Sequence, residues 1–272
     1  MAVLDGIKAA NENLLVAAKI GAAAALNAPK LANTQIKMEI LTDEEVAPLI
    51  EILGIIGETN AFVSGDALVG KRALEAGTPI IELLIGVDGT TSDLAWNCGA
   101  CGFNTCAEFN RYSRENRGAG AFFTGPNCCW KNFDFGMAQS WAAAAIAEMG
   151  VECRCQASYG FAGLVLGYLE GCTIATAVSI GPAGESIWYD RRDLTGSFTM
   201  KEHEQFMMNT LPQLYVAFCG GGFPLLKHRP DWAAEPLFWK AKEDPEFMAK
   251  QEDIRARVTK VIEREKAKKL KK

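Results

Sequence analysis

Three cysteines fall within nine residues in the stretch WNCGACGFNTC (Trp96 to Cys106), at the spacing C-x2-C-x4-C with glycines beside two of them. Cys128 and Cys129 follow after 21 and 22 intervening residues. A loop this rich in sulfur takes its shape from whatever joins the sulfurs. The nine cysteines of the chain are an odd number. The N-terminal run MAVLDGIKAANENLL has an acidic residue at Asp5 and polar residues at Asn11, Glu12 and Asn13, unlike the basic start and apolar centre of a signal peptide. Apolar runs such as IIELLIGV (Ile80 to Val87) are too short to span a bilayer. These features lead us to expect a cytoplasmic protein, and in a reducing compartment clustered cysteines serve metal binding or redox chemistry more often than structural disulfides.

The spacing suits an iron-sulfur cluster. A cubane takes four thiolates, one at each iron, and a C-x2-C step lets one tight turn present two of them to adjacent corners. Gly99 and Gly102 supply the backbone freedom that a wrapping loop needs, and the turn's amides can then face the anionic sulfurs. Cys98, Cys101 and Cys106 give three ligands. Of the two candidates for the fourth, Cys128 is preferred, because the preceding Gly125 and Pro126 make a fixed turn that returns the chain, and Cys129 is expected to point elsewhere. Zinc is the chief rival, but structural zinc sites usually pair two knuckles and no second knuckle is present. The plant-type order for a two-iron cluster, C-x4-C-x2-C, is reversed here. Trp96, Phe103, Phe109, Phe122, Phe123 and Trp130 flank the cysteines and form either a dry shell for the cluster or ordinary core.

Around this loop, strands and helices alternate. Leu4 to Leu26 reads as an amphipathic helix with Leu4, Ile7, Leu14, Leu15 and Ala18 on one face. Lys37 to Leu41 reads as a strand, and a helix is expected from a capping box at Thr42 and Glu45 to about Gly57. The apolar run to Gly86 predicts a strand buried on both faces. Beyond the cysteines, FDFGMAQSWAAAAIAEMG is a helix stopped by Gly150, VECRCQAS a strand, FAGLVLGYLEG a helix and CTIATAVSIG a strand. This pattern predicts an α+β fold with a three-layer arrangement of helices about one sheet. The expected organisation is a domain over residues 1–194, with a cluster-binding insertion at about 96–131, and a helical or irregular extension over 195–272. The last segment of that extension places Phe247, Ile254, Val258, Val261 and Ile262 on one helical face, which must dock on something.

Charge narrows the function further. Glu252 to Lys272 holds nine Lys or Arg against four Asp or Glu, which leaves 19 against 29 elsewhere. An acidic body argues against nucleic-acid binding, and the basic tail reads as a solvated helix end. Cys153 and Cys155 form a C-x-C pair on one face of a strand, more suited to packing than to metal. Cys172 and Cys219 read as buried thiols. His203 and His228 are the two histidines, both in the extension, and Asp190, Arg191 and Arg192 read as a structural or interface cluster. No Walker loop, nucleophile elbow or H-E-x-x-H is present.

The runs WNCGACGFNTCAEF, GPNC and SIGPAGESIWYDR (Ser179 to Arg191) resemble the ferredoxin-domain family known as DUF2148, over roughly residues 1 to 195. The late glycine element also resembles the C-terminal part of the nitroreductase-like fold, a flavoprotein architecture that commonly dimerises. The resemblance implies that Cys98, Cys101, Cys106 and Cys128 are the ligands of a 4Fe-4S cluster. It further implies an electron-transfer role within an oxidoreductase system, with a redox partner protein or larger oxidoreductase complex, as a homodimer or hetero-oligomer. A non-catalytic assembly subunit and a flavin-dependent reductase carrying a cluster are the alternatives. FMN is disfavoured because no arginine precedes Arg72 and Glu185 stands where a basic residue would help a phosphate, although Lys19, Lys30 and Lys37 are available.

Overall fold

The computed structural model describes residues 3–32, 34–120, 122–189 and 245–271. The expectations for Asp190, Arg191, Arg192, His203, Cys219 and His228, and for a domain end near Leu194, lie outside the described residues.

The chain opens with two helices, α1 (Gly6–Glu12) and α2 (Leu14–Asn27), where one was expected. Asn13 separates them, and the shared face dissolves with the break. Leu14 and Ala18 are buried, whereas Leu4 and Ile7 are largely exposed. Strand β1 (Lys37–Thr42) runs one residue past its expected end, so Thr42 finishes a strand and caps no helix. A 3-10 turn at Asp43–Glu45 intervenes, and α3 (Ala47–Gly57) starts later, from Val46, with no side-chain cap and Pro48 in its first turn. Proline suits that position because the first-turn N–H has no helical partner in any case. Helix α4 (Ala61–Glu75) was not anticipated. Strand β2 (Ile81–Val87) is buried at every residue, as its unbroken apolar run predicts.

After the cysteine segment come α5 (Cys106–Glu115), a two-residue hairpin of β3 (Gly118–Ala119) and β4 (Thr124–Gly125), and the long helix α6 (Cys129–Glu148). Then follow β5 (Cys153–Gln156), α7 (Ala157–Val165), β6 (Ile174–Ile180) and the terminal helix α8 (Pro245–Lys269).

The main sheet has the order β1-β2-β6-β5, with every neighbouring pair antiparallel. Helices cover both faces. On one, Ile81, Leu83, Ile85 and Val87 meet α2 and α6 through Leu14, Ala17, Ala138, Ala142 and Ile146. On the other, Leu84, Ala175 and Ala177 meet α3, α4 and α7 through Leu49, Leu53, Val63 and Tyr159. The alternation of β2 side chains serves both layers, so an antiparallel strand here is as apolar as a parallel one. The fold is thus α+β with three layers. Alanines at the α2–α6 contact let the two helices approach closely, which accounts for the Ala-rich composition of both.

One acidic residue is set into the second face. Glu82 is fully buried; Ser179 Oγ donates to its Oε2 at 2.7 Å, and Gln156 Nε2 donates to Ser179 Oγ at 2.8 Å. Glu82 Oε1 has no hydrogen-bond partner among the described residues. Burial pushes this carboxyl up to about 8, against the Ser179 hydrogen bond and with help from the charge of Asp66.

Helix α8 lies on α3. Ile254 and Val261 are buried beneath it, and Val261 joins the α3-side core. Arg257 pairs with Glu58 at 2.7 Å and Arg264 with Glu51 at 2.5 Å. Among the described residues no helix is long and apolar enough to cross a membrane.

Candidate metal centre

The cysteine segment leaves the end of β2 and is held down by its own polar side chains. Asp88 Oδ1 accepts from both Thr90 N and Thr90 Oγ1, and Thr173 Oγ1 accepts from Gly89 N at 3.1 Å. Gly89 O accepts from Cys128 N at 2.7 Å, which brings the downstream cysteine against the start of the loop. A Cβ at position 89 would stand 2.5 Å from Asn127 Oδ1, so only glycine permits this approach. Further along, Gly99 and Gly102 have φ of +75° and +85°, and Gly102 N donates to Gly99 O at 2.9 Å. This is the tight C-x2-C turn that the spacing demands.

Helix α5 then begins at Cys106. Its cap is Thr105, whose Oγ1 accepts from Glu108 N at 3.1 Å while Glu108 Oε2 accepts from Thr105 N at 3.2 Å. Asn97 Oδ1 accepts from Cys106 N at 2.9 Å, folding the loop back onto the helix start. Downstream, Cys128 is the N-cap of α6, and its side chain makes no capping bond. Two helix N-termini thus meet the cysteine segment with their positive partial charge; α5 is capped by Thr105, whereas the first turn of α6 has no side-chain cap.

One pocket is lined by Cys98, Cys101, Cys106, Cys128 and Cys129 together with Ser92, Trp96 and Trp130, among others. The expectation that Cys129 points elsewhere is not met. Both cysteines reach the pocket; Cys128 is buried and Cys129 exposed, as is Cys98. No His, Asp or Glu lines it. The Cys106 thiol is held below its usual range, first by the Ser92 hydroxyl and then by the backbone N–H of Asn97, with burial opposing. Ser92 Oγ nonetheless makes no hydrogen bond of good geometry to any described residue. Trp130 Nε1 donates to Cys98 Sγ at 3.2 Å.

Among the described residues no three His, Cys, Asp or Glu side chains stand close enough to grip a single metal ion. A tetrahedral zinc with bonds of about 2.3 Å would draw its thiolates to about 3.8 Å from one another. A cubane interposes iron and sulfide and holds its thiolates farther apart. Thiols as the sole ionisable donors around one pocket are the donor type that an iron-sulfur cluster takes.

The aromatic shell is smaller than the sequence suggests. Trp96 meets Trp130 edge-on at 6.2 Å, and Phe103 packs on Phe109 at 5.8 Å, the latter fully buried. Phe122 and Phe123 line a separate groove with Phe161. Cys153 and Cys155 share a face as expected and point at α6, where their Sγ atoms donate to the carbonyls of Ala143 and Gln139. Burial pushes the Cys153 thiol up to about 11, which fits a packing role. Cys172 is half-buried and likewise pushed up to about 11 by burial. Ser92, Asn97, Gly89 and Asn110 are the residues that sequence reasoning missed. The T-x-x-E cap at Thr105 was in plain view and could have fixed the start of α5.

Residues 124–191 match the family described as "Uncharacterized protein containing a ferredoxin domain (DUF2148)". That span includes Cys128 and the late glycine element, and stops short of Cys98, Cys101 and Cys106. A protein of Archaeoglobus fulgidus, itself described as uncharacterized, is 29% identical over 185 residues, which is 66% of this chain and 93% of the relative. No solved structure matches the chain.

Proposed function

We propose that the chain is an iron-sulfur protein that relays single electrons through one 4Fe-4S cluster held by Cys98, Cys101, Cys106 and Cys128. The observation that carries this reading is the pocket lined by five cysteines from two distant segments and by no other ionisable ligand. The ferredoxin domain in the description of the matching family supports it. When bound, such a cluster takes up and gives back one electron at a time.

The protein's own groups prepare the site for that charge. The first turn of α6, which has no side-chain cap, offers N–H groups beside Cys128, and the start of α5 adds its positive partial charge beside Cys106. Trp96, Phe103 and Trp130 keep water from part of the pocket wall. Four thiolates would close every iron, which favours relay over substrate chemistry. Cys98 and Trp96 are exposed, giving a redox partner protein or a larger oxidoreductase complex a face to approach. The nitroreductase-like architecture belongs to the same proposal and rests on the late glycine element, with which a sheet covered on both faces is compatible.

The test is purification without oxygen, followed by iron and sulfide analysis and a visible spectrum. About four irons and four sulfides per chain, with reversible bleaching on reduction, are expected. Zinc without iron would refute the proposal. A cluster that resists reduction and oxidation would instead favour a structural role in an assembly.

A further inference from the structure

Ser92 is buried and belongs to none of the cysteine motifs. Its backbone is gripped twice by one side chain: Ser92 N donates to Asn110 Oδ1 at 2.6 Å, and Asn110 Nδ2 donates to Ser92 O at 2.7 Å. Asn110 lies four residues after Cys106 on α5, the spacing that puts two side chains on one helical face a turn apart. Ser92 is therefore pinned against the face that carries Cys106, and it lines the same pocket. Its Oγ has no hydrogen-bond partner among the described residues. A buried hydroxyl left unpaired is costly, so a use for it is expected. Across the pocket, Trp130 Nε1 donates to Cys98 Sγ, and its ring is braced by Trp96 at 6.2 Å and Phe133 at 5.7 Å.

We propose that Ser92 Oγ–H and Trp130 Nε1–H are positioning donors to the Cys106 and Cys98 thiolates, and that together they raise the reduction potential of the cluster. This inference rests on the electron-relay reading. Reduction adds negative charge that the thiolates share, so a hydrogen bond to sulfur stabilises the reduced form more than the oxidised one. Taking such a donor away moves the potential in the negative direction. The two donors act on different thiolates, so their effects should be close to additive.

The experiment is a dye-mediated potentiometric titration, followed by electron paramagnetic resonance, of the full chain purified without oxygen. S92A and W130F should each give a more negative midpoint with iron and sulfide content unchanged. W130F keeps an aromatic ring between Trp96 and Phe133 and removes the N–H alone. S92T, which retains the hydroxyl, should return towards the wild-type midpoint, and the double variant should show about the sum of the single shifts. Fully loaded single variants with the wild-type midpoint overturn this inference and leave the relay reading standing. An S92A protein that folds but binds no iron also overturns it, since Ser92 would then be needed to hold the cluster at all. A wild-type protein that binds no cluster overturns both.

Discussion

Replacing Glu82 by Gln tests the least expected feature of the sheet. The carboxyl has an ordinary value of 4.5 and is pushed up to about 8 in the fold, with burial the main cause. Between these two values the folded chain keeps its proton and the unfolded chain releases it. Folding therefore takes up a proton, and stability falls as pH rises, by up to about 1.4 kcal/mol per unit. Between about pH 5 and about pH 7.5 the loss integrates to about 3 kcal/mol. At roughly 2–4 °C per kcal/mol for a chain of this size, that is about 6–12 °C in the melting temperature. Gln stays neutral throughout and can still accept from Ser179. The assay is a thermal melt of wild type and E82Q across that range, in which every other titrating group is common to both and cancels in the difference. The melting temperature of E82Q minus that of wild type should climb by about 6–12 °C from the acid to the alkaline end. A constant difference would refute the reasoning, because it would mean that Glu82 takes up no proton on folding.

Three further outcomes follow from the geometry. G89A should lower the iron content with the circular dichroism spectrum retained, because the added methyl meets Asn127 at 2.5 Å and displaces the segment that delivers Cys128. C128S should lose the cluster and C129S should keep it, as judged by iron per chain; the reverse pattern would move the fourth ligand to Cys129. V261A should destabilise the protein by about 2 kcal/mol in chemical denaturation, whereas E51Q, which weakens a half-exposed ion pair with Arg264, should cost under about 1 kcal/mol. Equal losses would mean that charge and not burial fastens α8.

The sheet was legible because apolar runs have a direct physical reading. Strands β1, β2, β5 and β6 sit close to where their residues place them, and β2 is buried on both faces as its lack of alternation requires. Helix starts were harder. Thr42 and Glu45 have capping-box spacing, but Thr42 pairs with Ile81 in the sheet, and tertiary pairing outweighs a local cap. In the N-terminal segment, Leu4 and Ile7 share a helical period with Leu14, yet the break at Asn13 leaves them exposed. At the site, the cysteine spacing pointed to residues that line one pocket, because thiols are chemically distinctive. Ser92 and Asn110 were invisible for the opposite reason: they are 18 residues apart, common in type, and meaningful only once folding brings them together.

Neither apolar core includes a buried residue between Val87 and Phe135. The two apolar layers can therefore close without the sulfur-bearing stretch, and on the electron-relay proposal a chain that lost its cluster would keep the frame that held it. On that proposal the site would be refillable: maturation would follow folding, and repair would need fresh iron and sulfide and no new polypeptide.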